Sequence, residues 1–147
     1  MPEELDKKIF PHGQKPGSLE LAFVGDSLYD LYVRARLAIK GGKVNDLNRT
    51  AVSKVNAHAQ REGLERIEPL LTEEELSVVR RAKNAKQSPT KNADPEDYCR
   101  ATALEALLGY LYLTGQNERM TELLSVSTGL PKEGISPNSV NNTQEGK

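Results

Sequence analysis

Apolar residues recur along the chain at intervals of three and four, punctuated by glycine and proline, and no segment alternates as a half-buried strand would. Leu21, Val24, Leu28, Leu31, Ala35 and Ile39 form one such stripe. It predicts a core-facing helix from Ser18, a residue able to cap it, to about Ile39, ended by Gly41-Gly42. Val44, Leu47, Ala51 and Val55 predict a second helix over 44–62, and a short third covers 64–71. Thr72-Glu73-Glu74-Glu75 fits a capping box, opening a helix that turns Leu76, Val79 and Ala82 inward. After a loop at 87–93, Asp94-Pro95 sets an N-cap before a proline at the first helical position. The helix it opens, 95–114, buries Ala101, Leu104, Leu108 and Leu111, with Gly115 suited to follow its end. A last helix, 116–127, stops at Gly129 and Pro131. About six helices without a strand predict an all-α fold.

Residues 1–17, with Pro2, Pro11, Gly13, Pro16 and Gly17, are expected to form an irregular arm. Residues 131–147 are polar and are expected to be a disordered tail, leaving 18–130 as one domain. With 28% charged and 37% hydrophobic residues, the composition is that of a soluble globular chain. No apolar run approaches the roughly 20 residues that span a bilayer. The start, MPEELDKKIF, lacks the apolar stretch of a secretory signal, so a cytoplasmic location is expected. A single cysteine, Cys99, rules out an internal disulfide and reads as a small packing residue. The net charge of −1 gives no general attraction for polyanions. Arg80, Arg81, Lys83, Lys86 and Lys91 nevertheless follow one another with no acid between them. That run is either a local polyanion-binding surface or simply a solvated face.

Two acids stand where a purely structural pattern would not put them. Asp26 lies in Leu21-Ala22-Phe23-Val24-Gly25-Asp26-Ser27-Leu28-Tyr29, beside a glycine that costs about 1 kcal/mol of helix stability relative to alanine. A mid-helix glycine next to a mid-helix acid suggests the close approach of another backbone or a ligand. Glu105 lies in Ala101-Thr102-Ala103-Leu104-Glu105-Ala106-Leu107-Leu108-Gly109, where a glycine again follows on the same face. A buried carboxylate must be paired, hydrogen-bonded or bound to metal, and no Lys or Arg occurs from Ala101 to Thr114. Two such acids meeting from different helices suit Mg²⁺, which takes a few hard oxygen ligands and completes its shell with water and phosphate. The spacing equally allows Asp26 to pair with Arg34 or Arg36 of a neighbouring chain while Glu105 faces solvent. Asp30 shares the Asp26 face and is read in a supporting role.

Phe23-Val24-Gly25-Asp26-Ser27-Leu28-Tyr29-Asp30-Leu31 resembles the signature helix of ribonuclease III, and Leu104 to Tyr112 resembles that family's second acidic helix. From about Ser18 to Leu124 the chain is similar to Mini-III, the short branch of the family, including Arg81-Ala82-Lys83-Asn84-Ala85-Lys86 and Pro89-Thr90-Lys91-Asn92. No counterpart of the double-stranded-RNA-binding domain of the longer enzymes is expected. The resemblance implies a homodimeric ribonuclease III-type helical domain that cleaves double-stranded RNA with Mg²⁺, leaving 5′-phosphate and 3′-hydroxyl ends. It implies precursor 23S ribosomal RNA as substrate class, Asp26 as the catalytic aspartate and Glu105 as the metal-binding glutamate. No small-molecule cofactor and no membrane partner are expected. Longer relatives carry further acids where this chain has Ala22 and Thr102, so the four-carboxylate set is reduced to two, with Thr102 left in a supporting position. One well-held Mg²⁺ is therefore expected.

On this reading Arg81, Lys83, Asn84 and Lys86 bind the RNA backbone, where recognition rests on phosphates, shape and 2′-hydroxyls. Tyr29, Val33, Tyr98 and Tyr112 are candidates for the dimer interface. The alternative is a catalytically silent duplex-RNA-binding or ribosome-assembly module. A helix-turn-helix DNA regulator would leave Asp26 and Glu105 without a role. His12 and His58 are read as surface residues.

Overall fold

The computed structural model describes residues 16–132 apart from Gln87 and Thr90. His12 and nearly all of the expected arm and tail lie outside them. Six α-helices follow in order: α1 (Ser18–Lys40), α2 (Val44–Val55), α3 (Ala57–Ile67), α4 (Glu73–Asn84), α5 (Pro95–Leu113) and α6 (Asn117–Thr128). A 3₁₀ turn, Glu68–Leu70, joins α3 to α4, and no strand occurs among the described residues. The all-α expectation holds.

α5 is the central element. α1, α3 and α4 pack along it, and α6 closes against α3 and α5. Ala101, Ala103, Leu104, Ala106, Leu107, Leu108 and Leu111 are buried around much of its circumference, as a helix enclosed by others requires. The caps follow the sequence. Thr72 and Glu75 exchange reciprocal bonds of 3.2 and 2.9 Å. Asp94 Oδ1 accepts from the N–H groups of Glu96 and Asp97 at 2.8 and 3.1 Å. At the start of α1 the cap is Gly17 rather than Ser18, and Glu20 reaches back to the Gly17 N–H at 3.1 Å.

Two sequence expectations shift. The helix expected over 44–62 breaks at Asn56, whose Oδ1 accepts from the Ala59 N–H at 2.9 Å while Nδ2 donates to Val52 O and Ser53 O at 3.1 and 3.0 Å. One side chain thus ends α2 and starts α3, and α3 absorbs the start of the helix expected at 64–71. The inward face of α1 is also rotated. Ala22, Gly25, Tyr29, Tyr32, Val33, Arg36 and Leu37 are buried, whereas Leu31 and Ile39 of the predicted stripe are 65% and 50% exposed. The helix turns its smallest residues toward α5, because their size permits the closest approach.

The end of α6 is tied down by side chains of three other helices. Lys54 Nζ donates to Thr128 O at 3.3 Å, Arg66 to Ser127 O, Tyr32 Oη to Leu130 O at 2.7 Å and Arg36 Nε to Pro131 O at 2.9 Å. These donors satisfy carbonyls that a helix end would otherwise leave open.

Candidate functional site

α1 and α5 meet backbone to backbone. A Cβ at Gly25 would lie 1.7 Å from Glu105 O, and one at Gly109 would lie 2.0 Å from Leu21 O. Both glycines are therefore required by contact, and the close approach suggested by Gly25 is that of another helix. It places Asp26 and Glu105 side by side across the crossing. Asp26 is exposed, whereas Glu105 is partly buried with its proton affinity pushed up to about 9. Burial is the main cause, followed by the hydrogen bond and the charge of Asp26, while a hydrogen bond from Gln60 acts in the opposite sense. Glu105 thus faces inward rather than to solvent.

Among the described residues, no lysine or arginine pairs with either acid. Arg34 is bound instead to Asp30, with Nε donating at 3.0 and 3.1 Å, and Arg36 to Pro131 O. A partly buried acid kept neutral first by its burial and then by a second acid is a site short of positive charge. That deficiency fits a small divalent cation with oxygen ligands. No group of three or more potential His, Cys, Asp or Glu ligands assembles among the described residues.

The remaining predicted residues are distributed around this pair. Asp30 is held in its ion pair one turn from Asp26. Thr102 is buried with its hydroxyl donating to Tyr98 O at 2.8 Å, so it stays bonded to its own helix. α4 runs antiparallel to α5: Tyr110 Oη bonds Glu74 near one end, and Cys99 Sγ approaches Lys83 O at 3.5 Å near the other. Six residues separate Cys99 from Glu105, a rise of roughly 9 Å along α5. Lys83 therefore lies toward one end of the crossing, pairing with Glu68 at 3.7 Å, and Asn84 and Lys86 follow it in the chain, both exposed. Arg81 diverges from them. It lines a cavity of about 280 Å³ with Gly17, Ser18, Glu74 and Tyr110.

Of the interface candidates, Tyr29 and Val33 lie in the chain's own core at 1% and 0% exposure. Tyr98 is half-buried and Tyr112 is 47% exposed. His58 is exposed, its ring 3.3 Å from Asp97 and 3.7 Å from Glu62. Beside Glu105 stand Tyr29, expected at the interface rather than here, and Gln60, which the sequence reading missed. Tyr29, whose hydroxyl is pushed up to about 12 mainly by burial, feels the charge of Glu105. Gln60 is 3% exposed. Its phase with Leu64 and Ile67 on the apolar face of α3 was the available signal.

Residues 19–116 match the ribonuclease III domain family. The Mini-ribonuclease 3 of Symbiobacterium thermophilum is 48% identical over 118 residues, which is 79% of this chain and 91% of that protein. The Mini-ribonuclease 3 of Brevibacillus brevis is 51% identical over 108 residues, 72% of this chain and 81% of that one. A Fusobacterium nucleatum protein solved by X-ray crystallography superposes with a TM-score of 0.70 at 34% identity, covering 77% of this chain and 92% of that chain.

Proposed function

Since the chain belongs to the ribonuclease III family and is an endoribonuclease, we propose that it acts on double-stranded RNA as a Mg²⁺-dependent homodimer. Its products carry 5′-phosphate and 3′-hydroxyl ends, and its substrate in the cell is precursor 23S ribosomal RNA. The observation that carries this reading is the Asp26–Glu105 pair, an acid pair without a protein cation at the crossing of the two helices that most resemble the family.

Asp26 and Glu105 are the residues that hold the cation. Bound there, Mg²⁺ would supply an activated water and charge stabilisation at the scissile phosphate. Glu105 gives up its proton when it becomes a ligand, because the ligand form of a carboxylate is the ionised one. Lys83, Asn84 and Lys86 bind the duplex backbone beside the pair, and Arg81 contributes from the far side of α4. Asp30 and Thr102 support the acid pair through their places on α1 and α5. Dimerisation has its own support: Leu19, Phe23 and Leu31, spaced by multiples of four on α1, are 47%, 82% and 65% exposed. A second copy on that face buries them and gives the duplex two sites, one for each strand.

The test is cleavage of a duplex RNA, and of a precursor 23S transcript, with and without Mg²⁺. Wild type should cut with Mg²⁺, while Asp26→Asn and Glu105→Gln should fall to background and still bind the duplex. Wild type that binds duplex RNA with Mg²⁺ yet leaves it intact would favour the silent RNA-binding module.

A further inference from the structure

Glu68 opens the 3₁₀ turn between α3 and α4, and its carboxylate stands between two cations from other helices. Oε2 lies 3.7 Å from Lys83 Nζ near the end of α4, and Oε1 lies 3.7 Å from Arg100 Nη1 in the second turn of α5. Both separations are too long for hydrogen bonds, so the carboxylate is attracted to the two cations without being bonded to either. The neighbouring pair between α3 and α5 differs: Arg61 donates to Asp97 at 3.1 Å, and Asp97 is only 15% exposed. Lys83, Arg100 and Glu68 are 27%, 29% and 32% exposed, and open ion pairs of that kind contribute little to stability. Arg100 is also held from its other edge, where Nε donates to Glu96 one turn earlier in α5.

A carboxylate and a phosphodiester each present two charged oxygens on one central atom. A backbone phosphate can therefore take the place of Glu68, with one oxygen toward the Lys83 ammonium and the other toward the Arg100 guanidinium. We propose that Lys83 and Arg100 form a two-cation seat for a phosphate of the duplex backbone, which Glu68 occupies until RNA displaces it. The inference rests on the RNA reading above, and it adds Arg100 as a contact and Glu68 as an internal competitor. Glu96 keeps the guanidinium aligned once Glu68 has left. Arg100 stands five residues before Glu105, a rise of roughly 7.5 Å and about 140° around the axis of α5. The seat thus lies to one side of the acid pair rather than over it. A chain of net charge −1 thereby carries a phosphate contact that stays neutralised until it is used.

The experiment measures duplex-RNA binding without divalent metal over a series of salt concentrations. It compares wild type, Arg100→Met, Lys83→Met, Glu68→Gln, the double variant lacking both cations, and Glu68→Gln in that double variant. Arg100→Met and Lys83→Met should each weaken binding about threefold or more and lower the salt slope by about one. Glu68→Gln should tighten binding about threefold, and that gain should vanish where both cations are gone. A Glu68→Gln affinity equal to wild type, or an Arg100→Met salt slope equal to wild type, overturns the seat and leaves the RNA reading intact. A gain that survives without the cations is a long-range effect of charge and overturns it equally. Folded wild type that binds no duplex RNA removes both. Should a variant fail to fold by circular dichroism, the carboxyl carbon resonance of Glu68 decides the matter in wild type. It should shift as a short RNA duplex is added, and a resonance that stays still overturns the proposal.

Discussion

Glu105 opposes the stability of its own fold. In the metal-free protein it keeps a proton up to about pH 9, whereas in the unfolded chain it ionises near 4.5. A raised acid pKa means that folding takes up a proton, so stability declines as pH climbs from about 4.5 toward 9. Glu105→Gln keeps the shape and removes the titration. Its metal-free Tm at pH 8 should exceed that of wild type by a few degrees, and the gap should close near pH 4; calorimetry reads both. A variant Tm below wild type at pH 8 would contradict this account. At this scale the sequence was readable for the acids, since Asp26 and Glu105 interrupt apolar stretches. It was opaque for Gln60, whose neighbours His58 and Arg61 make the segment look like surface.

The helix crossing reverses an ordinary substitution rule. Glycine to alanine within a helix normally stabilises by about 1 kcal/mol. Gly25→Ala and Gly109→Ala should instead destabilise by about 3 kcal/mol or more, because the added methyl meets backbone carbonyl oxygens that cannot rotate away. Urea unfolding at neutral pH measures the sign. The same crossing explains why the α1 stripe was misread. Hydrophobic periodicity weights large side chains, while the contact here is made by Ala22 and Gly25, so the face assigned to the core was partly the outward one. Caps fared better, because Thr72 with Glu75 and Asp94 with Pro95 act within a few residues of their own sequence. What their spacing does not show is that Glu75, 4% exposed, also accepts two bonds of 2.9 Å from Arg119. Arg119 holds the Glu75 carboxyl below the usual range, so this stabilisation is full above pH 4.5 and fades as acid protonates it. Arg119→Met should therefore cost about 2 kcal/mol at pH 7 and distinctly less at pH 3, as paired unfolding curves would show.

For the whole molecule, the face of α1 turned away from the core is the informative one. Phe23, 82% exposed, stands one turn from Asp26 on the same helix. Phe23→Glu should convert the proposed dimer to monomer in sedimentation velocity while leaving helical circular dichroism unchanged. A dimer that persists with unaltered affinity would move the interface elsewhere. The number and class of helices followed from local pattern alone, whereas the face that α1 turns outward did not. An exposed phenylalanine and a buried one look the same in a sequence until the helix has been rotated into place.

The glycine contact between α1 and α5 also bears on heating. Where side chains space two helices, warming populates alternative rotamers and the gap loosens by degrees. Here backbone rests on backbone at Gly25 and Gly109, and no rotamer lies between contact and separation. The acid pair should hold its spacing until the helices part, so loss of the site and melting of the fold become one event.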